Sequence, residues 1–402
     1  MSRHCNNDLM GPTNRQPKRP TPATKINAIP FWTPRFWHGM RLGHWLRLVA
    51  RNRFRIHPAR LPRAVFITFA AAVNSAMAFL QRLFYGHRIA KTEIKQAPVF
   101  IIGHWRTGTT YLHELMVRDD RFAFPTTYEC FAPGHFLITE WILPRLLSFL
   151  LPLPPTRPMD NMAVGFERPQ EDEVALCVMG GPSLLLRTAF PNDPPPYMEL
   201  LNMDEADEQL RSRWKHALRQ FLKSLTLRKQ KRLVLKSPSH TGRIRILSEM
   251  FPDARFIHLV RDPDSIFPSA RRLWSALDEM QGLQLPRHES LDDYVFGAFE
   301  RMYRGFDRQR ESIDPTRICE VRYEDLVRDP ISQVRTIYEK LDLGDFEHVR
   351  EKLEEYVGCL RDYRPNEYEV EPETKEEIRR RWAGYIERYG YAKKRAPEGV
   401  LR

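Results

Sequence analysis

Apolar residues in this chain fall into short unbroken runs separated by longer stretches of helical period. Val99–Ile102 is a four-residue run rich in β-branched side chains, which predicts a strand buried on both faces. Leu233–Leu235 and Phe256–Val260 repeat the signal, and Ile318–Val321 is a weaker fourth. Between them the period lengthens. Leu112, Leu115 and Met116 follow the first run, and Asp204–Leu227 carries Leu210, Trp214, Leu218, Phe221 and Leu225 on one helical face. Ser239 is placed to cap a helix running to Met250, Asp262-Pro263 opens another, and Tyr323-Glu-Asp-Leu326 leads into a third. Strands alternating with helices predict an α/β fold with a parallel sheet covered on both faces.

The pattern divides the chain into four parts. Residues 1–29 are rich in Pro, Asn, Thr and Lys/Arg, with little to bury, and read as a disordered basic tail; an organelle transit peptide is the minor alternative. Residues 30–96 interleave aromatic and cationic side chains as far as Arg63 and then enter Ala64–Leu80, a run without charge in which only Thr68, Asn74 and Ser75 are polar. That run is shorter than the roughly 20 residues of a membrane span and apolar nearly all round, so it predicts either a core helix or an interfacial one. Residues 97–350 form the α/β core. Within it, Phe122–Pro158 is hydrophobic and broken by prolines, suited to cover an apolar acceptor pocket. Residues 351–402 are expected to wrap back over the site.

Charge sharpens the division. Residues 1–63 hold 13 Lys or Arg against the single acid Asp8, so the net charge of +12 lies entirely in this segment and the rest is neutral. That argues against a nucleic-acid groove over the whole fold. The five cysteines are odd in number, scattered and without metal or redox spacing, which favours a reducing, cytoplasmic compartment.

The candidate chemistry lies where the strands end. After Ile102, Gly103 and Gly108 bracket a tight loop, and Thr109 and Thr110 open a helix, so free backbone N–H groups and a helix dipole face whatever anion sits there. The spacing approaches that of the nucleotide-triphosphatase P-loop but lacks the lysine after its second glycine, and Arg106 is the loop's only cation. The other strands end at Lys236, Arg261 and Tyr323, and ligands of open α/β sheets bind at such carboxyl ends. Arg261 with Ser269, eight residues on, forms a second phosphate grip. Pro169-Gln-Glu-Asp-Glu173 reads as an acidic first turn ahead of the apolar Val174–Val178.

These residues together resemble the sulfotransferase superfamily that uses 3′-phosphoadenosine 5′-phosphosulfate (PAPS). Its 5′-phosphosulfate loop is similar to Gly103-His-Trp-Arg-Thr-Gly-Thr-Thr110, its 3′-phosphate motif to Arg261 with Ser269, and its strand end near the adenine to Tyr323-Glu-Asp325. The likeness spans residues 97–340, more weakly reaches Asn366, and is strongest to bacterial members, including the menaquinone-sulfating type. It implies PAPS as co-substrate, no metal, and binding through Arg106, Thr107, Gly108, Thr109, Thr110, Arg261, Ser269 and Tyr323. Arg106 and Lys236 would neutralise charge on the sulfuryl and leaving oxygens.

Two departures leave the base open. Arg106 stands where cytosolic animal enzymes carry lysine, and their Lys-x-His spacing is here Lys236-x-x-x-His240. His240 suits a base by its ordinary pKa. Glu171 is its rival, because tyrosyl-protein and trehalose sulfotransferases resemble this chain in the arginine loop and use a glutamate. The expected acceptor is a hydroxyl on a small or lipidic molecule, with residues 1–85 meeting an anionic membrane surface and no nucleic acid involved. A P-loop kinase or nucleotide triphosphatase, and a membrane-associated nucleotide-binding module without transferase activity, are the competing classes.

Overall fold

The computed structural model describes residues 34–150, 165–359 and 370–392. The expectations for the basic tail, for residues 151–158 and for the Asn366 region lie outside them. Five strands form one all-parallel sheet: β1 (Val99–Ile102), β2 (Phe122–Ala123), β3 (Arg232–Lys236), β4 (Arg255–Val260) and β5 (Ile318–Arg322), in the order β2-β3-β1-β4-β5. The two-residue edge strand β2 is one more than the four apolar runs predict; it is too short to stand out from the hydrophobic segment around it.

Successive side chains of a strand point to opposite faces, and β1 shows why its run is unbroken. Val99 and Ile101 enter one apolar cluster with Leu112, Leu115, Val334 and Ile337, from helices Thr109–Met116 and Pro330–Leu341. Phe100 and Ile102 enter the other, with residues of helices Asp172–Val178, Glu208–Lys229 and Leu291–Gln309. The chain leaving β1 leads toward β2 on one side, and the chain leaving β4 leads to β5 on the other. The crevice between β1 and β4 is therefore the topological switch point.

The segment after β3 differs from expectation. Ser239 does not cap a helix: residues Pro238–Arg243 form a 3-10 turn with Ser237 at its N-cap, and the α-helix begins only at Ile244. The Ser239 hydroxyl instead donates to Glu173 Oε2, at 2.9 Å.

The N-terminal helix settles into neither of its two predicted roles alone. It runs from Leu61 to Lys91, 31 residues, so the segment is long and apolar enough to cross a membrane, which the uncharged run by itself is not. Yet one face is packed on the protein through Ala64, Ile67, Ala71, Ala78 and Gln81. The three polar residues of the run pin it there. Thr68 Oγ1 accepts from Trp45 Nε1, Ser75 Oγ accepts from the Leu42 amide, and Asn74 Nδ2 donates to the carbonyls of His38 and Met40. Gln81 Oε1 accepts from the Leu137 amide. The opposite face, with Val65, Phe66, Phe69, Phe79, Leu83 and Phe84, is exposed.

The orientation of this helix has a direct test. Ile67 is 0% exposed and Phe69 is 68% exposed. Ile67→Ala is expected to destabilise by about 2–5 kcal/mol, as for a buried large-to-small change, and Phe69→Ala by no more than about 0.5 kcal/mol. Urea unfolding of the two variants reads the difference, and equal losses would reverse the assignment of faces.

Candidate active site

The loop between β1 and its helix is shaped by its two glycines. Gly103 has φ +136 and Gly108 φ +94, conformations costly for other residues. A Cβ on Gly103 would also meet the Leu259 carbonyl and Thr107 Oγ1, and one on Gly108 would collide with the Tyr323 ring. Gly108 is the N-cap of Thr109–Met116, so the first amides of that helix face the crevice without intrahelical acceptors. Thr107 is buried, and its hydroxyl donates to the His104 carbonyl at 2.7 Å, closing the loop on itself rather than presenting an oxygen to a ligand. His104 is buried and its pKa is pushed down to about 3 by burial, with the bond to the Trp105 carbonyl only partly opposing; its ring is neutral.

The two phosphate grips, separate in sequence, meet at one residue. Arg106 Nε donates to Ser269 Oγ at 2.7 Å, and Arg261 Nη1 donates to the Arg106 carbonyl at 2.9 Å. The Arg261 guanidinium lies 4.2 Å from the centroid of the Tyr323 ring, whose edge fills the space beside Gly108. Arg106 itself holds φ +74, an uncommon conformation for a residue with a Cβ. The loop, the β4 end, helix Pro263–Gln281 and the β5 end are thus one connected cluster.

A contributor that the sequence does not announce is Tyr385, from helix Ala383–Arg388. Its hydroxyl accepts from the Arg261 amide and donates to the Arg261 carbonyl, each at 3.0 Å. Glu324, adjoining Tyr323, accepts from the Asp262 amide at 2.9 Å and from the Tyr391 hydroxyl at 3.0 Å. No local signal points to Tyr385, which lies 124 residues from its partner.

The other half of the site is a ladder of three side-chain contacts to carboxylates. Lys236 ends β3 beside Ile101 of β1, and its ammonium donates to Glu171 Oε1 at 2.7 Å. His240 Nε2 lies 2.7 Å from Asp172 Oδ2, and Arg243 Nη1 donates to Glu173 Oε2 at 2.7 Å. The three consecutive acids at the start of Asp172–Val178 therefore take, in order, Lys236, His240 and Arg243 from the end of β3 and the turn after it. Exposure separates them. The Glu171 side chain is 20% exposed and Lys236 2%, whereas His240 and Asp172 are both 0%. The His240 ring is enclosed edge-to-face by Phe100 and Trp214. Of the two base candidates, only Glu171 has a side chain open to solvent.

Asp119, Asp120 and His348 bring one possible metal-ligand atom each within 4.8 Å of one another. They lie beyond the far end of helix Thr109–Met116. Asp119 already takes Arg121 and the Tyr338 hydroxyl, and Asp120 takes Lys352. Among the described residues the crevice brings no such group together.

A parallel sheet carrying a glycine loop, helix N-terminus and clustered arginines at its switch point defines an α/β protein with a cationic strand-end site suited to an anion. The chain belongs to the sulfotransferase family, whose model matches residues 98–347. It is similar to the omega-hydroxy-beta-dihydromenaquinone-9 sulfotransferase Stf3 of Mycobacterium bovis and of Mycobacterium tuberculosis. Each is 44% identical over 360 residues, covering 90% of this chain and 92% of the relative. Two solved structures share the fold. They are sulfotransferase STF9 from Mycobacterium avium, with TM-score 0.66 and 21% identity over 83% of this chain and 86% of that one, and STF1 from Mycobacterium tuberculosis, with TM-score 0.57 and 18% identity over 87% and 92%.

The ladder makes a pH-dependent contribution to stability. Burial would raise the Glu173 carboxyl pKa, but the Arg243 charge and hydrogen bond outweigh it and the net shift is downward from 4.5. A depressed carboxyl stabilises fully above its unfolded pKa and loses that contribution as pH falls through the folded value. Glu173→Gln is expected to cost about 3–5 kcal/mol at pH 7, because it leaves Arg243 buried without a counter-charge. The gap from wild type should narrow below pH 4.5. Chemical denaturation at pH 7, 5 and 3.5 checks both, and a pH-independent gap would contradict the pairing.

Proposed function

We propose that this sulfotransferase moves the sulfuryl group of PAPS to a hydroxyl on a hydrophobic, quinone-like acceptor, with Glu171 as general base. The observation that carries this reading is the Lys236–Glu171 contact at the end of β3, the strand beside β1, 2.7 Å long and only partly open to solvent. The residues present fit the donor. Free helix amides and Arg106 suit a 5′-phosphosulfate, Arg261 and Ser269 a 3′-phosphate, and Tyr323 a neighbouring base or ribose. When bound, the donor supplies the sulfuryl group and a bisphosphate leaving group.

The chain's own residues supply the rest. The Glu171 carboxylate accepts the proton of the acceptor hydroxyl as its oxygen bonds to sulfur. Neutralising Glu171 releases Lys236 from its partner, so the ammonium turns to the oxygen from which sulfur departs. Arg106 holds positive charge on the loop against the same group, a fixed arrangement that needs little reorganisation. His240 acts indirectly, by holding Asp172 and with it the helix turn that carries Glu171.

The similarity to the menaquinone-derivative sulfotransferase supports a lipidic acceptor. The exposed apolar face of Leu61–Lys91 supports where it is met. Trp141, Ile142, Leu146 and Phe149 extend exposed apolar surface on a segment that packs beside that helix, and the cations of residues 1–63 suit an anionic leaflet. A helix pinned along one side by Thr68, Asn74, Ser75 and Gln81 lies against its own protein, which favours interfacial over spanning placement. The enzyme is peripheral, at the cytoplasmic face of the membrane.

Two experiments test the chemistry. Adenosine 3′,5′-bisphosphate should raise the melting temperature far more than adenosine 5′-phosphate, because the latter forfeits charge-assisted bonds of about 1.5–3 kcal/mol each at Arg261 and Ser269. Equal stabilisation by the two nucleotides would remove the 3′-phosphate assignment.

Steady-state kinetics in EDTA should show undiminished turnover in wild type, near-complete loss in Lys236→Ala and Arg106→Ala, and a fall of roughly 10²–10⁴-fold in kcat for Glu171→Gln. The acidic limb of the pH–rate profile should disappear with Glu171→Gln and remain in place in His240→Gln, which is expected to lose stability. A lost limb in the histidine variant would return the base to His240.

A further inference from the structure

Beside the pinned face of the long N-terminal helix lies a cavity of about 820 Å³ that the proposed chemistry does not use. It is walled by Arg82 and Gly86 of Leu61–Lys91, Arg213 and His216 of Glu208–Lys229, Arg41, and the Gly180–Gly181 turn that ends Asp172–Val178. Apolar groups form its floor, Val178, Ala217 and Phe221 among them. Among the described lining residues there is no carboxylate, and neither Arg82 nor Arg213 pairs with an acid.

The charges are therefore set against one another. Burial first, then the charges of Arg82 and Arg47, lower the Arg41 pKa. Like cations gathered without a counter-ion raise the energy of the empty cavity, and a bound anion would relieve it. Three arginines over an apolar floor suit an anion that carries an apolar body.

The cavity also adjoins the exposed stripe. On a helix, residues three and four apart are neighbours. Arg82 and Gly86, which line the cavity, thus border Phe79 and Leu83, which are exposed. We propose that this cavity is a headgroup site for an anionic membrane phospholipid, its phosphate held by Arg41, Arg82 and Arg213 while its chains lie along Phe79 and Leu83. The proposal rests on the interfacial placement above. Charge complementarity and continuity with the apolar stripe favour a lipid over a soluble phosphate.

The test uses the full chain and the double variant Arg82→Gln/Arg213→Gln, neither residue belonging to the catalytic cluster. Calorimetric titration with monomeric dihexanoyl phosphatidylglycerol should show about 10–30-fold weaker binding in the double variant, from two near-surface cations. Turnover on a water-soluble hydroxyl acceptor should remain at the wild-type level, confirming an intact fold. Inorganic phosphate should bind wild type more weakly than the short-chain lipid; equal affinity would overturn the lipid assignment. Vesicles of phosphatidylcholine with and without phosphatidylglycerol separate the two ideas. If wild type and double variant sediment alike with anionic vesicles, the headgroup site is overturned and interfacial placement stands. If short-chain lipid binds in an arginine-dependent way while no vesicle is bound, interfacial placement falls and the anion site stands.

Discussion

Three consecutive carboxylates meeting Lys236, His240 and Arg243 hold one side of the candidate site in register. Asp172–Val178 is a seven-residue helix, too short to be stable alone. What fixes it is the contact of Glu171, Asp172 and Glu173 with Lys236, His240 and Arg243. The turn Pro238–Arg243 is kinked at Gly242, and it brings His240 to Asp172 and Arg243 to Glu173. The two inner pairs are buried, and separating Glu173 from Arg243 would strand a buried charge at a cost of several kcal/mol. The outermost pair, Lys236 with Glu171, is left partly exposed at the end of β3.

The glycine-loop half of the site is built differently. Arg106, Ser269, Arg261 and Tyr323 come from four segments and are linked by hydrogen bonds and a cation–ring contact. Backbone conformation does as much as charge here, since Gly103 and Gly108 permit the approach of β4 and Tyr323. Tyr385 then clamps the Arg261 backbone from the C-terminal side. A change at any of these residues would be felt at the loop, because no member is held by the sheet alone.

The long N-terminal helix joins the two themes. Polar side chains along one face seat it on the protein, and aromatic and aliphatic side chains along the other remain without protein cover. An amphipathic helix ordinarily turns its apolar face inward. Here Ala64, Ala71 and Ala78 face in beside Ile67, while Val65, Phe66, Phe69, Phe79, Leu83 and Phe84 face out. The alanines let the helix approach closely, and the large outward side chains stay exposed.

Much of this was legible in the order of residues. Buried parallel strands are apolar on both faces, so β1 and β3 read as unbroken runs and β4 as a run interrupted by His258, and the glycine spacing with Arg106 marked a candidate anion loop whatever the rest of the fold. Lys236, Arg261 and Tyr323 were findable because strand ends carry the chemistry of an open sheet. Only the tertiary structure separates His240 from Glu171 in exposure: both lie near β3 or its partner helix, and Phe100 and Trp214 enclose the His240 ring while the Glu171 side chain stays partly exposed. It also brought Arg261 and Ser269 onto Arg106 and delivered Tyr385, contacts between residues more than a hundred positions apart. Composition showed that Ala64–Leu80 must be covered, but which face meets protein depended on where Thr68, Asn74 and Ser75 found partners, and those partners belong to other elements of the chain.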